Sequence, residues 1–218
     1  MISRNSHTIQ AKRSDSCQAR LWRTVLGLLM WAVGFVETSS AQTTATDHFN
    51  KGIEWLNEGE TDKAIPEFSK AIELDPKMAD AYYQRGTKTI DVGGDMAAAM
   101  KDLDKAIELD PKHSDAFLAR GGVWEARKEW DKAITEYTKY ILLNRHEPNG
   151  YSPGFIGRGT CRIEKKDYAG AIEDLTKAVI NFPNSSFAYK QRAIAYERAG
   201  EKEKAEADRK TYEKLSAR

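Results

Sequence analysis

The sequence predicts an all-α protein, a solenoid of about five antiparallel helix pairs. Three observations carry this expectation. Self-comparison finds one stretch four times and, in decayed form, a fifth, with aligned alanines Ala64, Ala99, Ala133, Ala171 and Ala205 spaced by 35, 34, 38 and 34 residues. Within each stretch apolar residues recur at three- and four-residue intervals, as in Ala64, Phe68, Ala71 and Ile72, the stripe of an amphipathic helix with one buried face. Three of the copies then close on a proline, at Pro76, Pro111 and Pro183, which has no amide hydrogen to continue the helix and restricts the residue before it.

The elements follow in order. The chain has 218 residues and a formal net charge of +1, so no global field draws it to nucleic acid or to a membrane surface. Its first part differs from the rest. Basic residues Arg4, Lys12, Arg13, Arg20 and Arg23 precede an apolar run from Thr24 to Val36. That run is too short for the roughly 20 residues of a bilayer span and fits the apolar core of a signal peptide. Glu37 ends it, and Ser39-Ser40-Ala41 places small side chains before Gln42. Residues 1–41 are therefore expected to be a cleaved export signal, followed by a short linker at 42–44. The other reading is an uncleaved anchor. Cleavage would leave no membrane span, and the protein would be periplasmic if the host has an outer membrane and secreted if it does not. Cys17 would leave with the signal and Cys161 would remain alone, so no internal disulfide is expected.

Five units then divide the chain: 45–78, 79–113, 114–147, 152–185 and 186–218, with residues 148–151 as a loop inserted between the third and fourth. Pro148-Asn149-Gly150 is turn chemistry. In each unit a first helix carries a marker glycine, Gly52, Gly86, Gly121 or Gly159, replaced by Ala193 in the last copy. Turns at Gly59, Gly93-Gly94 and Gly200 separate the first helix from the second, and Lys128-Glu129 and Lys166-Asp167 fill the same place in units three and four. The last helix keeps only Ala205, Tyr212 and Leu215 as inward residues and is otherwise dense in charge, as a terminal cap requires. This pattern resembles the tetratricopeptide repeat family. The resemblance implies a right-handed superhelix whose first helices line a concave, peptide-binding face.

Two sets of residues follow from the alignment. A basic residue stands before each marker position (Lys51, Arg85, Arg120, Arg158, Arg192), and an acidic one stands three after each aligned alanine (Glu67, Asp102, Glu136, Asp174, Asp208). Their repetition predicts structural ion pairs, within a unit or between neighbours, with the arginine stem packed and the guanidinium forked onto the carboxylate. The second set is a candidate groove. Phe49, Tyr83, Leu118 and Ile156, continued by Lys190, form a row on the first helices. Gln84, Thr87, Gly122, Glu125 and Thr160 lie beside it. Acidic residues Asp80, Asp115, Glu164 and Glu197 edge the same face, so the expected guest is an apolar or amphipathic segment carrying Lys or Arg. The competing reading is that the apolar row is consensus packing.

Relatives that hold acidic chaperone tails use a carboxylate clamp. Carried over by position, it falls on Phe49, Ile53, Gln84, Asp115 and Ala119, so no clamp is expected. Nor is a metal site, cofactor or catalytic constellation. The histidines (His7, His48, His113, His146) have no ligand spacing, no motif pairs one with Cys161, and Gly93-Gly94 and Gly121-Gly122 follow no strand. Isolated solvated or capping histidines are the expectation, and Cys161 is expected to be a small buried filler. Function is thus expected to be non-catalytic: an exported scaffold of the cell envelope that holds a protein or peptide, or alternatively a self-associating component of an envelope or secretion complex.

Overall fold

The computed structural model describes residues 43–145 and 152–217. The expected export signal and the inserted loop fall outside them. Thr44–Arg218 forms one compact unit. The described residues hold ten α-helices and no strand: α1 (Ala45–Asn57), α2 (Thr61–Leu74), α3 (Ala79–Asp91), α4 (Met96–Leu109), α5 (Ser114–Ala126), α6 (Trp130–Leu143), α7 (Ser152–Glu164), α8 (Tyr168–Asn181), α9 (Ser186–Arg198) and α10 (Lys202–Ser216). No helix among the described residues is long and apolar enough to cross a membrane.

Each odd-numbered helix pairs with the even one after it, and each even helix then packs on the next odd one. The turn inside a pair is tight because one residue takes a left-handed conformation. Gly59, Gly93 and Gly200 have φ of 81°, 70° and 85°, and in the third and fourth pairs Lys128 and Lys166 adopt φ of 60° and 64°. Side chains rarely sit there, so these two lysines hold a conformation that glycine adopts without strain. The amide of Glu60 reaches back to the Trp55 carbonyl at 2.8 Å, and Lys128 and Glu129 close the third turn on Glu125 and Trp124 at 2.8 and 2.9 Å. These bonds satisfy carbonyls that the ending helix would leave open.

Helix starts are marked chemically. Thr44 and Asp47 form a capping box on α1, and Asp95, Asp167 and Ser185 cap α4, α8 and α9. His113 caps α5 by accepting from the Ala116 amide at 3.3 Å through Nδ1, which leaves Nε2 to donate to Asp80 at 3.1 Å.

The core is a row of small clusters between helices. The aligned alanines Ala64, Ala99, Ala133, Ala171 and Ala205 are all buried, as are Phe68, Leu103, Tyr137 and Leu175 one turn further on. No pair could cover this surface alone, so stacking supplies the burial.

Candidate functional site: arginine staples and the first-helix face

Each predicted cation lies within hydrogen-bonding or ion-pair reach of the carboxylate of its own unit. Arg85 donates Nε and Nη2 to Asp102, each at 2.7 Å. Arg158 does the same to Asp174 at 2.9 and 2.8 Å, and Arg192 to Asp208 at 2.7 and 2.8 Å. Arg120 is different because Glu136 is one methylene longer than aspartate. Only Nη2 reaches it, at 2.8 Å, and Nε is left buried without a partner. In the first unit Lys51 stands 3.4 Å from Glu67, whose other oxygen is held at 2.6 Å by His48 Nδ1. His48 is thus neither a solvated nor a capping histidine, as the sequence led us to expect, but is hydrogen-bonded to the carboxylate of its own unit.

The guanidinium also makes a contact that reaches the preceding unit. Nη1 of Arg85, Arg120, Arg158 and Arg192 donates to Ser69, Asp104, Thr138 and Thr176 at 3.3, 2.7, 3.0 and 3.4 Å. These acceptors all stand five residues after an aligned alanine. The arginine therefore closes its own helix pair with one edge and ties it to the previous pair with the other, a geometry that lysine cannot reproduce. In the last unit the acceptor position is Lys210, exposed and cationic, so a further arginine would find repulsion there.

On the first-helix face the apolar row is largely used in packing. Phe49 lies 5.7 Å from the Phe68 ring, and Tyr83 lies 4.7 Å from the His113 ring and against Met100, Leu103 and Val123. Leu118 packs on Ala133, Tyr137 and Cys161, and Ile156 on Phe155 and Ala178. Gln84 is half-buried. The hydroxyls of Thr87 and Thr160 bond to carbonyls one turn back, Tyr83 at 3.0 Å and Ile156 at 2.9 Å. Glu125 accepts from the Tyr137 hydroxyl at 2.5 Å, and burial, its largest cause, pushes that phenol far above its ordinary range. Lys190 is exposed, its ammonium 5.8 Å from the Tyr212 ring.

The open space lies one turn further along. A cavity of 330 Å³ between α3 and α5 is lined by Thr87, Ile90, Asp91, Met96, Ala119, Gly122, Val123 and Ala126. Thr87 and Gly122 belong to the predicted set. Ile90, Ala119 and Ala126 do not, although they share the helical stripe of Thr87 and Gly122, which is the signal that could have found them. Gly122 has almost nothing over it: an added Cβ would meet only the Tyr137 hydroxyl, at 3.9 Å. Asp115 and Glu164 on the same set of helices are exposed and form no ion pair among the described residues. The arrangement offers apolar contact and negative charge. Among the described residues no group of three or more His, Cys, Asp and Glu is placed to hold a metal. Cys161 is fully buried, and burial pushes its thiol up to about 12, so it packs rather than reacts.

A TPR repeat model matches residues 56–87, and two tetratricopeptide repeat models match 93–148 and 156–185, together more than half of the chain. No curated protein matches the sequence. Among solved structures, PilF of Pseudomonas aeruginosa superposes with a TM-score of 0.70 at 20% identity, covering 78% of this chain and 76% of that one. MamA (residues 41 to the end) of Desulfovibrio magneticus RS-1 gives 0.69 at 18%, covering 79% and 95%. YrrB, described as a TPR protein with an unusual peptide-binding site, gives 0.65 at 19%, covering 80% and 87%. At these identities the likeness is one of fold, that of helix-pair solenoids which generally serve as interaction scaffolds. On its repeat period, its helix pairing and these matches, the chain belongs to the tetratricopeptide repeat family.

Proposed function

We propose that this protein is a non-catalytic scaffold of the cell envelope, exported by its first 41 residues, and that it holds an apolar or amphipathic segment carrying Lys or Arg on its first-helix face. The cavity between α3 and α5 carries this reading: it is floored by small and aliphatic side chains and has Asp91, paired with Lys88 at 2.8 Å, on its rim, while Asp115 and Glu164 on the same set of helices are exposed. Small residues admit a close backbone, aliphatic ones remove apolar side chains from water, and unpaired carboxylates select cationic guests. The peptide-binding site described for YrrB supports the use of this fold in that way. A basic export segment ahead of an apolar core supports the envelope address.

Gly122→Lys is the test, because the new side chain enters the cavity without striking packed neighbours and replaces glycine inside a helix. A photo-crosslinker at Ala126 is expected to capture a Lys- or Arg-bearing segment of an envelope protein, and Gly122→Lys is expected to abolish that capture while melting remains unchanged. Capture that persists in the variant, or captured segments that are acidic, would sink the groove assignment. Recovery of the processed protein beginning at Gln42 in the exported fraction checks the address, and recovery from the cytosol with residue 1 intact would refute it.

A further inference from the structure

On the first-helix face the last unit departs from its sisters at three aligned places. Three residues before the marker position, Tyr83, Leu118 and Ile156 of units two to four give way to Lys190. Five residues after it, Asp91, Ala126 and Glu164 give way to Arg198. Six residues before it, Asp80, Asp115 and Pro153 give way to Phe187. Phe187 is 50% exposed, and Lys190 and Arg198 are exposed as well. The Lys190 ammonium lies 5.8 Å from the Tyr212 ring, and neither cation forms an ion pair among the described residues. The carboxylate of their own helix does not offset them, because Glu197 is taken by Arg209 of α10 at 2.5 Å. On the two preceding first helices the exposed side chains without an ion pair are instead the carboxylates Asp115 and Glu164. α5, α7 and α9 pack directly on one another, so both signs lie on one continuous face.

We propose that the guest of the first-helix face is a bipolar segment, with Lys or Arg over α5, an apolar stretch across α7, and an Asp or Glu side chain at Lys190 and Arg198 of α9. This rests on the reading of that face as a peptide site and adds which way round the guest lies. Opposite charges at the two ends of one face fix that choice, since a reversed guest sets like charges against each other. Phe187 gives the acidic end of the guest an apolar neighbour outside the charged contact. Two interhelical spacings of about 8 to 10 Å separate α5 from α9, so the charged ends of the guest stand about 16 to 20 Å apart, roughly five or six residues of extended chain.

The probes are three end-capped, labelled peptides that share an apolar centre of about six residues, titrated against the full chain by fluorescence anisotropy. Two carry Lys at one end and Glu at the other, in opposite chain directions, and the third carries Lys at both ends. One bipolar peptide is expected to bind at least about tenfold more tightly than the Lys-only peptide, and to weaken as salt rises. Lys190→Glu with Arg198→Glu changes exposed side chains alone, so the fold is kept, and it is expected to reverse that order. A photo-crosslinker at the Glu end of the bound peptide is expected to label α9, and one at the Lys end α5. The proposal is overturned if the Lys-only peptide binds as tightly as the better bipolar one, if the charge-reversed variant keeps the parent's order, or if the crosslinks exchange ends. In those cases weakening of all three peptides by Gly122→Lys leaves the first-helix site standing. Binding that Gly122→Lys does not touch, or no binding of any peptide, sinks the site and the proposal together. A parent dimer that the charge-reversed variant dissociates would also overturn the proposal, by placing a second copy on this face.

Discussion

The junction between the third and fourth repeats and the first repeat follow one plan at two levels of closure. At the junction, Arg158 is 13% exposed and Asp174 1%, and Arg162 adds a further bond to Asp174 at 2.8 Å. In the first repeat Lys51, 52% exposed, takes the arginine's place, makes no ion pair with another unit among the described residues, and shares Glu67 with His48 and Lys70. Pro66 also interrupts α2, removing one amide from its ladder. The apolar contacts differ in the same sense. Where most second helices present Phe68 and Ala71, Leu103 and Ala106, or Leu175 and Ala178, α6 presents Tyr137 and Tyr140. The following helix answers with Gly154 and Gly157, where its counterparts have Ala81 and Gln84, or Ala116 and Ala119. An added Cβ at Gly154 would stand 2.5 Å from the Tyr140 ring, and one at Gly157 2.6 Å from Tyr137 Cε2. The repeat thus varies its contacts pairwise: a larger side chain on one unit is matched by a smaller one on the next.

The largest expected effect comes from the staple. Arg158→Ala leaves the fully buried Asp174 with only Arg162 and should cost about 3 to 5 kcal/mol, whereas Lys51→Ala, at an exposed position, should cost less than about 1 kcal/mol. Urea titration of the two variants measures the gap. Equal losses would mean that the first repeat is closed as tightly as the fourth, and the comparison would fail.

Next in size is the tyrosine–glycine match. Gly154→Ala should destabilise by about 1 to 3 kcal/mol through overpacking, and Tyr140→Ala by roughly 3 kcal/mol or more through the cavity it leaves. Combined, the two changes recreate the Ala71–Ala81 packing of the first junction, whose aligned residues in the second are Ala106 and Ala116. The double variant is therefore expected to lose less than the sum of the single losses. Strict additivity would show that the two positions do not press on one another.

These contacts differ in how far the sequence discloses them. The fold was legible because a period of 34 to 38 residues, the buried alanine row and the closing prolines each report the same unit. The charged pairs were legible because both members recur at fixed places. The grip on the preceding unit was equally available, in the alignment of Ser69, Asp104, Thr138 and Thr176, but these residues differ in type and so do not announce one role. The tyrosine–glycine match was not legible without knowing which faces of successive units meet. Nor was the open cavity, since Tyr83 and Leu118 look as available in a helical projection as Ile90 and Gly122 do, and only neighbouring helices decide which of them is covered. Residues 1–41 and 148–151, read as signal and loop, lie outside the described residues and rest on the sequence pattern alone.

The smallest expected effect is on pH, and it localises the weaker end. Glu67 is held down to about 2 from an ordinary carboxyl value of 4.5, first by the His48 bond and then by Lys70 and the charge of Lys51, with burial opposing. Asp47, on the same first helix, is also held below its ordinary value, chiefly by the Thr44 amide and hydroxyl. A carboxyl with a lowered folded-state pKa contributes stability that is complete above its unfolded value and is lost as pH falls toward the folded one. For Glu67 the window runs from 4.5 down to about 2. Amide exchange, corrected for its intrinsic pH dependence, should therefore rise in α1 and α2 within that window before it rises in α6 and α7. Glu67→Gln should remove most of the difference by loosening the first repeat already at neutral pH. If α1 and α7 lose protection together as the solution is acidified, the staple is no tighter in the fourth repeat than the His48–Lys51 arrangement is in the first.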